Sequence, residues 1–254
     1  MVRALRILFG TALIAYLGLC ATLFFFQRSL IYFPQPNSGS GGATTITLPA
    51  GTERVLVSTR PKDGPLALIY FGGNAEDVSF AMPSFSGAFP SHAIYLMHYR
   101  GYGGSSGSPS EKALFADALT LFDKVHDEHP KIEIIGRSLG SGIAVYVASR
   151  RPVARLVLVT PYDSLEELAE LQYPYIPVKW LLIDKFESSK FAPQVTAPTL
   201  IIAAQHDEII PRESTELLVS RFSRARVSYR VVAEAGHNTI SGSPEYMALL
   251  KDPP

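Results

Sequence analysis

The run Lys131-Ile132-Glu133-Ile134-Ile135-Gly136-Arg137-Ser138-Leu139-Gly140-Ser141-Gly142-Ile143-Ala144-Val145-Tyr146-Val147-Ala148-Ser149-Arg150 divides into three parts. Residues 131–135 read as a short strand, residues 141–150 as a helix packed closely at its start, and Gly136 to Gly140 as a G-x-S-x-G turn between them. Strand, tight turn and helix in that order form a nucleophile elbow, in which a strained serine lifts its hydroxyl above the sheet. Glycines two residues to either side are needed because any side chain there would collide with the neighbouring strand and helix. The free N–H groups at the helix start favour developing negative charge just past Ser138. A second G-x-S-x-G, Gly103-Gly104-Ser105-Ser106-Gly107, has neither an adjacent strand nor a helix start, and is closed by Pro109; it reads as a flexible loop.

Outward from the elbow, buried-type apolar strands recur. Residues 66–71 and 93–98 precede it, residues 156–160 and 199–204 follow it, a further strand is read over residues 227–232, and helical patterns separate most of these strands. Ser110 caps a helix that Pro130 stops, another helix runs over about residues 212–222, and a last one is expected over residues 243–250. This alternation predicts an α/β fold with a mainly parallel sheet flanked by helices. Two earlier strands, residues 44–48 and 54–59, are placed to pair as a hairpin. Between residues 162 and 195 the pattern breaks into a helical insertion punctuated by Pro174, Pro177 and Pro193, suited to a small cap or a connecting pair of helices.

The chain has 254 residues, 47% of them apolar, and equal numbers of basic and acidic side chains, 23 of each. That is enough for one domain of ~200 residues plus an appendage, and nothing in the charge balance suggests a nucleic-acid partner. The appendage is N-terminal. Residues 7–26 carry no charge and are long enough to cross the ~30 Å hydrocarbon layer, so a transmembrane anchor is expected. The run exceeds the ~7–15 residue apolar core of a cleaved signal peptide. Arg3 and Arg6 before it and Arg28 after it place the short N-terminus (residues 1–6) in the cytoplasm and the domain across the membrane. Residues 27–43 then read as a juxtamembrane tether, flexible over Asn37 to Gly42, leading to the domain at residues 44–254. The single cysteine, Cys20, lies in the span, which excludes an intramolecular disulfide.

A serine hydroxyl needs a base, and the base needs a carboxylate to orient it. In sheets of this kind the order is Ser, acid, His, on loops leaving strand C-terminal ends. Only His206 and His237 follow Ser138. His237 comes directly after strand 227–232 and is assigned as base. Asp207, after strand 199–204, is its orienter, with Glu208 as the rival acid. The oxyanion would be held by the N–H of Leu139 and of Asn74, with Gly73 as the neighbouring alternative, on the Gly72-Gly73-Asn74 loop after an early strand. No histidine spacing points to a metal, and no glycine pattern to a nucleotide, so no cofactor is expected.

These residues resemble the α/β-hydrolase superfamily, and within it the Bem46-like membrane-anchored group with its ABHD13-like and ABHD17-like relatives. The resemblance runs through Gln27-Arg28-Ser29-Leu30-Ile31-Tyr32-Phe33-Pro34, Phe71-Gly72-Gly73-Asn74-Ala75-Glu76-Asp77 and Tyr99-Arg100-Gly101-Tyr102-Gly103. It continues in Gly136-Arg137-Ser138-Leu139-Gly140, Asp207-Glu208-Ile209-Ile210-Pro211 and Gly236-His237-Asn238. Such proteins usually carry His-Gly-Asn where this chain has Gly72-Gly73-Asn74; that histidine lies outside the triad, so the departure bears on loop conformation and rate rather than on reaction type. The resemblance implies the α/β-hydrolase fold and a serine hydrolase of esterase, thioesterase or peptidase type; cleavage of an acyl ester or thioester is the expected reaction, and the anchor by its location would confine the enzyme near lipid or lipidated substrates. The same triad would serve an amidase or aminopeptidase, and a non-catalytic binding protein on this fold is a further alternative.

Overall fold

The computed structural model describes residues 1–36 and 44–252; the expected flexible tether over Asn37 to Gly42 lies outside them. Eight strands form one sheet: β1 (Thr44–Ala50), β2 (Glu53–Arg60), β3 (Leu66–Phe71), β4 (Ala93–Met97), β5 (Lys131–Arg137), β6 (Arg155–Val159), β7 (Thr199–Ala204) and β8 (Val227–Val232). Their spatial order is β1-β2-β4-β3-β5-β6-β7-β8. The β1/β2 hairpin is antiparallel and joins antiparallel to β4, while β4 through β8 are parallel. β4 and β7 are buried along their whole length, because helices cover both faces of the parallel part and leave no wet side.

The chain winds to β4 on one side of β3, then returns past it to β5 on the other. The loops leaving the C-terminal ends of the paired strands β3 and β5 therefore run to opposite sides, and the crevice between such loops is where ligands settle in open parallel sheets. On one face α3 (Glu111–His126) and α4 (Leu139–Ala148) pack through Leu114, Phe122, Ile143 and Val147, joined by Leu218 of α8 (Arg212–Arg221). On the other, α2 (Met82–Ala88) and α9 (Tyr246–Leu249) bury Met82, Phe85 and Tyr246. Ser110 caps α3, its Oγ accepting the Ala113 N–H at 3.2 Å.

Two details differ from the sequence-based expectation. The last helix is a single turn, because Pro244 holds Ser243 extended (φ −64°, ψ 135°) and so separates a 3₁₀ turn at Ile240–Gly242 from α9. A 3₁₀ turn at Val78–Ala81 and α2 occupy a stretch where no helix was expected; Asp77 starts it by accepting the Ser79 N–H at 3.0 Å.

The insertion comprises α5 (Leu165–Gln172), α6 (Val178–Leu181), α7 (Ser188–Phe191) and a 3₁₀ turn. The N-terminal apolar helix α1 (Val2–Ile31) is 30 residues long, with mean hydropathy 2.1 over its most apolar 18-residue stretch, long and apolar enough to cross a membrane. It continues beyond Phe26, and its last two turns pack on the insertion. Arg28 Nε lies 3.0 Å from Asp184 Oδ2 and Tyr32 Oη donates to the same oxygen at 3.0 Å. Gln27 donates to Leu181 O at 3.1 Å and accepts from Ile183 N at 2.7 Å.

Candidate active site

The elbow has the geometry that its glycines demand. Ser138 adopts φ 49°, ψ −119°, a region non-glycine residues rarely enter, and α4 begins at the next residue. A Cβ on Gly136 would stand 2.6 Å from Ala144 Cβ and from Gly140 O; one on Gly140 would stand 2.6 Å from Gly72 O. Both are far inside van der Waals contact, so strand, turn and helix meet this closely only because these two positions lack side chains.

Three loops bring their groups to Ser138. His237, buried on the loop after β8, places Nε2 2.9 Å from Ser138 Oγ. Its Nδ1 lies 3.0 Å from each oxygen of Asp207, on the loop after β7. Asp207 Oδ1 also accepts the N–H groups of Ile209 (3.0 Å) and Ile210 (2.7 Å), which fix the carboxylate's orientation. Glu208 points elsewhere: its Oε2 accepts the His237 backbone N–H at 3.0 Å. That N–H, and then Glu208's own, hold the Glu208 carboxyl below its ordinary range. So Asp207 meets the imidazole while Glu208 positions the backbone that carries it. His206 is exposed, 3.9 Å from Glu234, and does not enter the site.

The loop after β3 lies against the serine; a Cβ on Gly73 would be 3.6 Å from Ser138 Cβ. Several polar groups of this loop are occupied. Tyr99 Oη donates to Gly72 O at 2.7 Å, and the Gly73 N–H donates to Glu76 Oε2 at 2.7 Å. The Asn74 side chain accepts from Phe33 N (3.1 Å) and Tyr102 Oη (2.7 Å) and donates to Ile31 O (2.5 Å). Burial pushes the Tyr102 phenol up to about 12, with the Phe33 N–H partly opposing it, so it stays protonated as that donor. Glu76 Oε2 also meets Arg137 Nη1 at 3.0 Å, Glu76 Oε1 accepts from Tyr70 Oη at 2.8 Å, and Arg137 Nη2 reaches His237 O at 3.4 Å. Burial works against the Arg137 charge, but Glu76 together with the Tyr70 and Tyr246 phenols more than offsets it and the guanidinium pKa is raised. One ion pair thus links the β3 loop, the elbow and the histidine loop.

A cavity of about 580 Å³ opens beside Ser138 and is mainly apolar, lined by Leu139, by Leu165, Leu168 and Ile176 of the insertion, and by Leu23 and Leu30 of α1, with Gln27, Gln172 and Asn238 among its polar members. Its size falls in the ~300–1,000 Å³ range of small-molecule sites. The second G-x-S-x-G serves structure. Ser105 is buried, donating to His98 O at 2.9 Å and accepting from Leu56 N at 2.8 Å. Gly103, Gly104 and Gly107 all take positive φ, and Gly103 N donates to Gln35 O at 2.8 Å. The loop is tied down rather than flexible, because its backbone bonds link β2 to the segment after α1. Among the described residues no three His, Cys, Asp or Glu side chains converge as metal ligands.

Sequence reasoning gave no role to Glu76, Arg137, Tyr99 or Tyr102, and passed over Asp184. The first four sit inside the motifs quoted above, so their signal was position next to the loop and elbow. Asp184 carried none, since its partner Arg28 lies 156 residues away.

A family profile described as "alpha/beta hydrolase fold" matches residues 68–184. The chain is 35% identical over 257 residues to an uncharacterized protein of Mycobacterium tuberculosis, covering 93% of this chain and 89% of that one. It is 26% identical over 214 residues to protein bem46 of Schizosaccharomyces pombe (78% and 70% covered). It is 31% identical over 188 residues to the lysophosphatidylserine lipase ABHD12 of Macaca fascicularis (63% of this chain, 47% of that longer one). Among solved structures, the Pyrococcus furiosus esterase Pf2001 matches with TM-score 0.66 at 15% identity, over 86% of this chain and 95% of the esterase.

Proposed function

This chain belongs to the α/β-hydrolase family, among its Bem46/ABHD-like members, and from that premise we propose that it is a membrane-anchored serine hydrolase cleaving acyl esters or thioesters through Ser138, His237 and Asp207. Its hydrolase fold and lipase and esterase relatives support hydrolysis as the activity. The observation that carries the finer reading is one continuous chain of contacts: Asp207 carboxylate, His237 Nδ1, His237 Nε2 and Ser138 Oγ, each step 2.9–3.0 Å, ending on a serine in strained elbow geometry.

In the reaction, His237 Nε2 takes the proton from Ser138 Oγ as that oxygen attacks the acyl carbonyl. Asp207 accepts from Nδ1, which fixes the tautomer that leaves Nε2 free and stabilises the imidazolium. The negative charge moves to the former carbonyl oxygen, held by the N–H groups of Leu139 and Asn74. Asn74 is favoured over Gly73 because the Gly73 N–H is already committed to Glu76. Collapse expels the alcohol or thiol, which leaves with the proton from His237, and the acyl group stays on Ser138. Water repeats the sequence, giving its proton to His237 and releasing the carboxylic acid and free serine. α1 serves as the anchor, and Arg3 and Arg6 before it support a cytoplasmic N-terminus with the domain on the far side.

The test is fluorophosphonate labelling of the full chain. Label should survive Ser105→Ala and vanish in folded Ser138→Ala; a folded wild type that takes no label would refute the reading.

A further inference from the structure

We infer that α1 is also a substrate-binding element: its Leu23–Leu30 face closes the acyl pocket, so a fatty acyl chain reaches Ser138 laterally, along this helix, from the bilayer. The inference rests on the serine-hydrolase reading and adds where the acyl chain lies and how it arrives. Three observations carry it. First, the apolar cavity beside Ser138 takes one wall from α1, through Leu23, Gln27, Leu30 and Ile31, and the opposite wall from the insertion. An anchor alone would have no reason to line the site.

Second, the two walls are fastened together at both ends. Near the site, Asp184 accepts from Arg28 and Tyr32, and Gln27 exchanges two hydrogen bonds with residues 181 and 183. Further up the helix, Tyr16 Oη donates to Tyr175 O at 2.8 Å. Tyr16 and Gln27 are eleven residues apart in α1, about 17 Å along its axis at ~1.5 Å per residue. The tip of the insertion therefore lies beside a part of the helix that a spanning α1 keeps within the membrane. Third, the insertion presents Tyr175 (88% exposed) and Trp180 (85% exposed) outward, large aromatic surface that lipid would cover. The pocket between insertion and helix thus opens toward the bilayer. The loop beneath the substrate carbonyl is tied to the same helix, since Asn74 Nδ2 donates to Ile31 O.

The occupant is the long acyl chain of a bilayer-resident ester or thioester. Because each methylene moved from water into an apolar pocket is worth ~0.8 kcal/mol, kcat/KM for water-soluble 4-nitrophenyl esters should rise by up to about fourfold per carbon from butyrate to octanoate. The experiment compares full-length wild type, Leu23→Trp, Leu30→Trp and Phe25→Trp in nanodiscs of ether-linked lipid, with labelled-enzyme titration to count active sites. Phe25 is exposed and outside the pocket. The octanoate-to-butyrate ratio should fall at least tenfold in Leu23→Trp or Leu30→Trp and stay within twofold in Phe25→Trp. Normal labelling with an unchanged ratio in both pocket variants would overturn this inference and leave the serine nucleophile standing; no labelling in wild type would overturn both. Palmitoyl lysophospholipid and a palmitoyl-cysteine peptide, offered in the same discs, separate a lipid from an acylated-protein source. Hydrolysis of either supports the lateral route, and of neither overturns it.

Discussion

Replacing Glu76 by glutamine should destabilise the fold and slow the reaction together, because that carboxylate gathers three donors at the base of the site. It accepts from Gly73 N at 2.7 Å, Tyr70 Oη at 2.8 Å and Arg137 Nη1 at 3.0 Å, with Glu76 and Arg137 side chains only 17% and 14% exposed. Removing one partner of a fully buried pair costs about 3–5 kcal/mol, mostly from the charge left behind. Glutamine keeps an oxygen for two of the donors, and its amide can donate to Tyr70 Oη; with the residual exposure this brings the expected loss to about 2–3 kcal/mol. For a chain of this size each kcal/mol moves the melting temperature by ~2–4 °C, so a fall of about 5–10 °C is expected. The assay is thermal unfolding of the nanodisc-reconstituted chain, with the fluorophosphonate labelling rate measured alongside. Labelling should slow about tenfold, a ~1.4 kcal/mol effect, as the Gly73 turn loosens beside Ser138. Glu76→Gln/Arg137→Leu removes both charges and should recover at least half of the lost stability, because no charge is then stranded. A single variant within 2 °C of wild type and labelling at the wild-type rate would show that the ion pair does not hold the loop.

Asp207→Asn should lower kcat on the order of 10⁴-fold with KM little changed, through loss of the tautomer control at Nδ1; Glu208→Gln should cost less than tenfold, and steady-state kinetics on a butyrate ester would expose a reversed order. Gly140→Ala should abolish labelling and soluble folding, since its Cβ would stand 2.6 Å from Gly72 O; a folded, labelled Gly140→Ala would contradict the packing. Stability should also depend on His98, whose Nε2 meets Ser58 Oγ at 2.8 Å. Burial holds the His98 pKa below its ordinary 6.5, with Asp77 partly opposing. The unfolded chain then binds the extra proton first, so this contribution is complete above about pH 6.5 and lost as pH falls through the lower folded value. Melting curves at pH 7.5 and 5.0 should show a smaller acid loss for His98→Gln than for wild type, and equal losses would remove His98 from the account.

Local signals carried much of the fold. Unbroken apolar strands separated by helical stretches specified a buried parallel sheet, because only strands covered on both faces can be apolar throughout. The elbow was legible at Gly136 and Gly140 because a steric demand that only glycine meets leaves a fixed spacing in the chain. Chain order and position just after a strand placed Ser138, Asp207 and His237 on loops at the same sheet edge, where the structure brings them within hydrogen-bonding distance. Neighbours along the chain were harder to separate. Asp207 and Glu208 differ in role only because the turn aims one carboxylate at Nδ1 and the other at the His237 N–H, and no residue type encodes that direction. The lining of the cavity beside Ser138 by α1, the Arg28–Asp184 clasp and the Glu76–Arg137 pair were decided by tertiary structure alone. Each joins segments that share no period and lie far apart in the chain, so the partners exist as partners only once the sheet has folded and set them side by side.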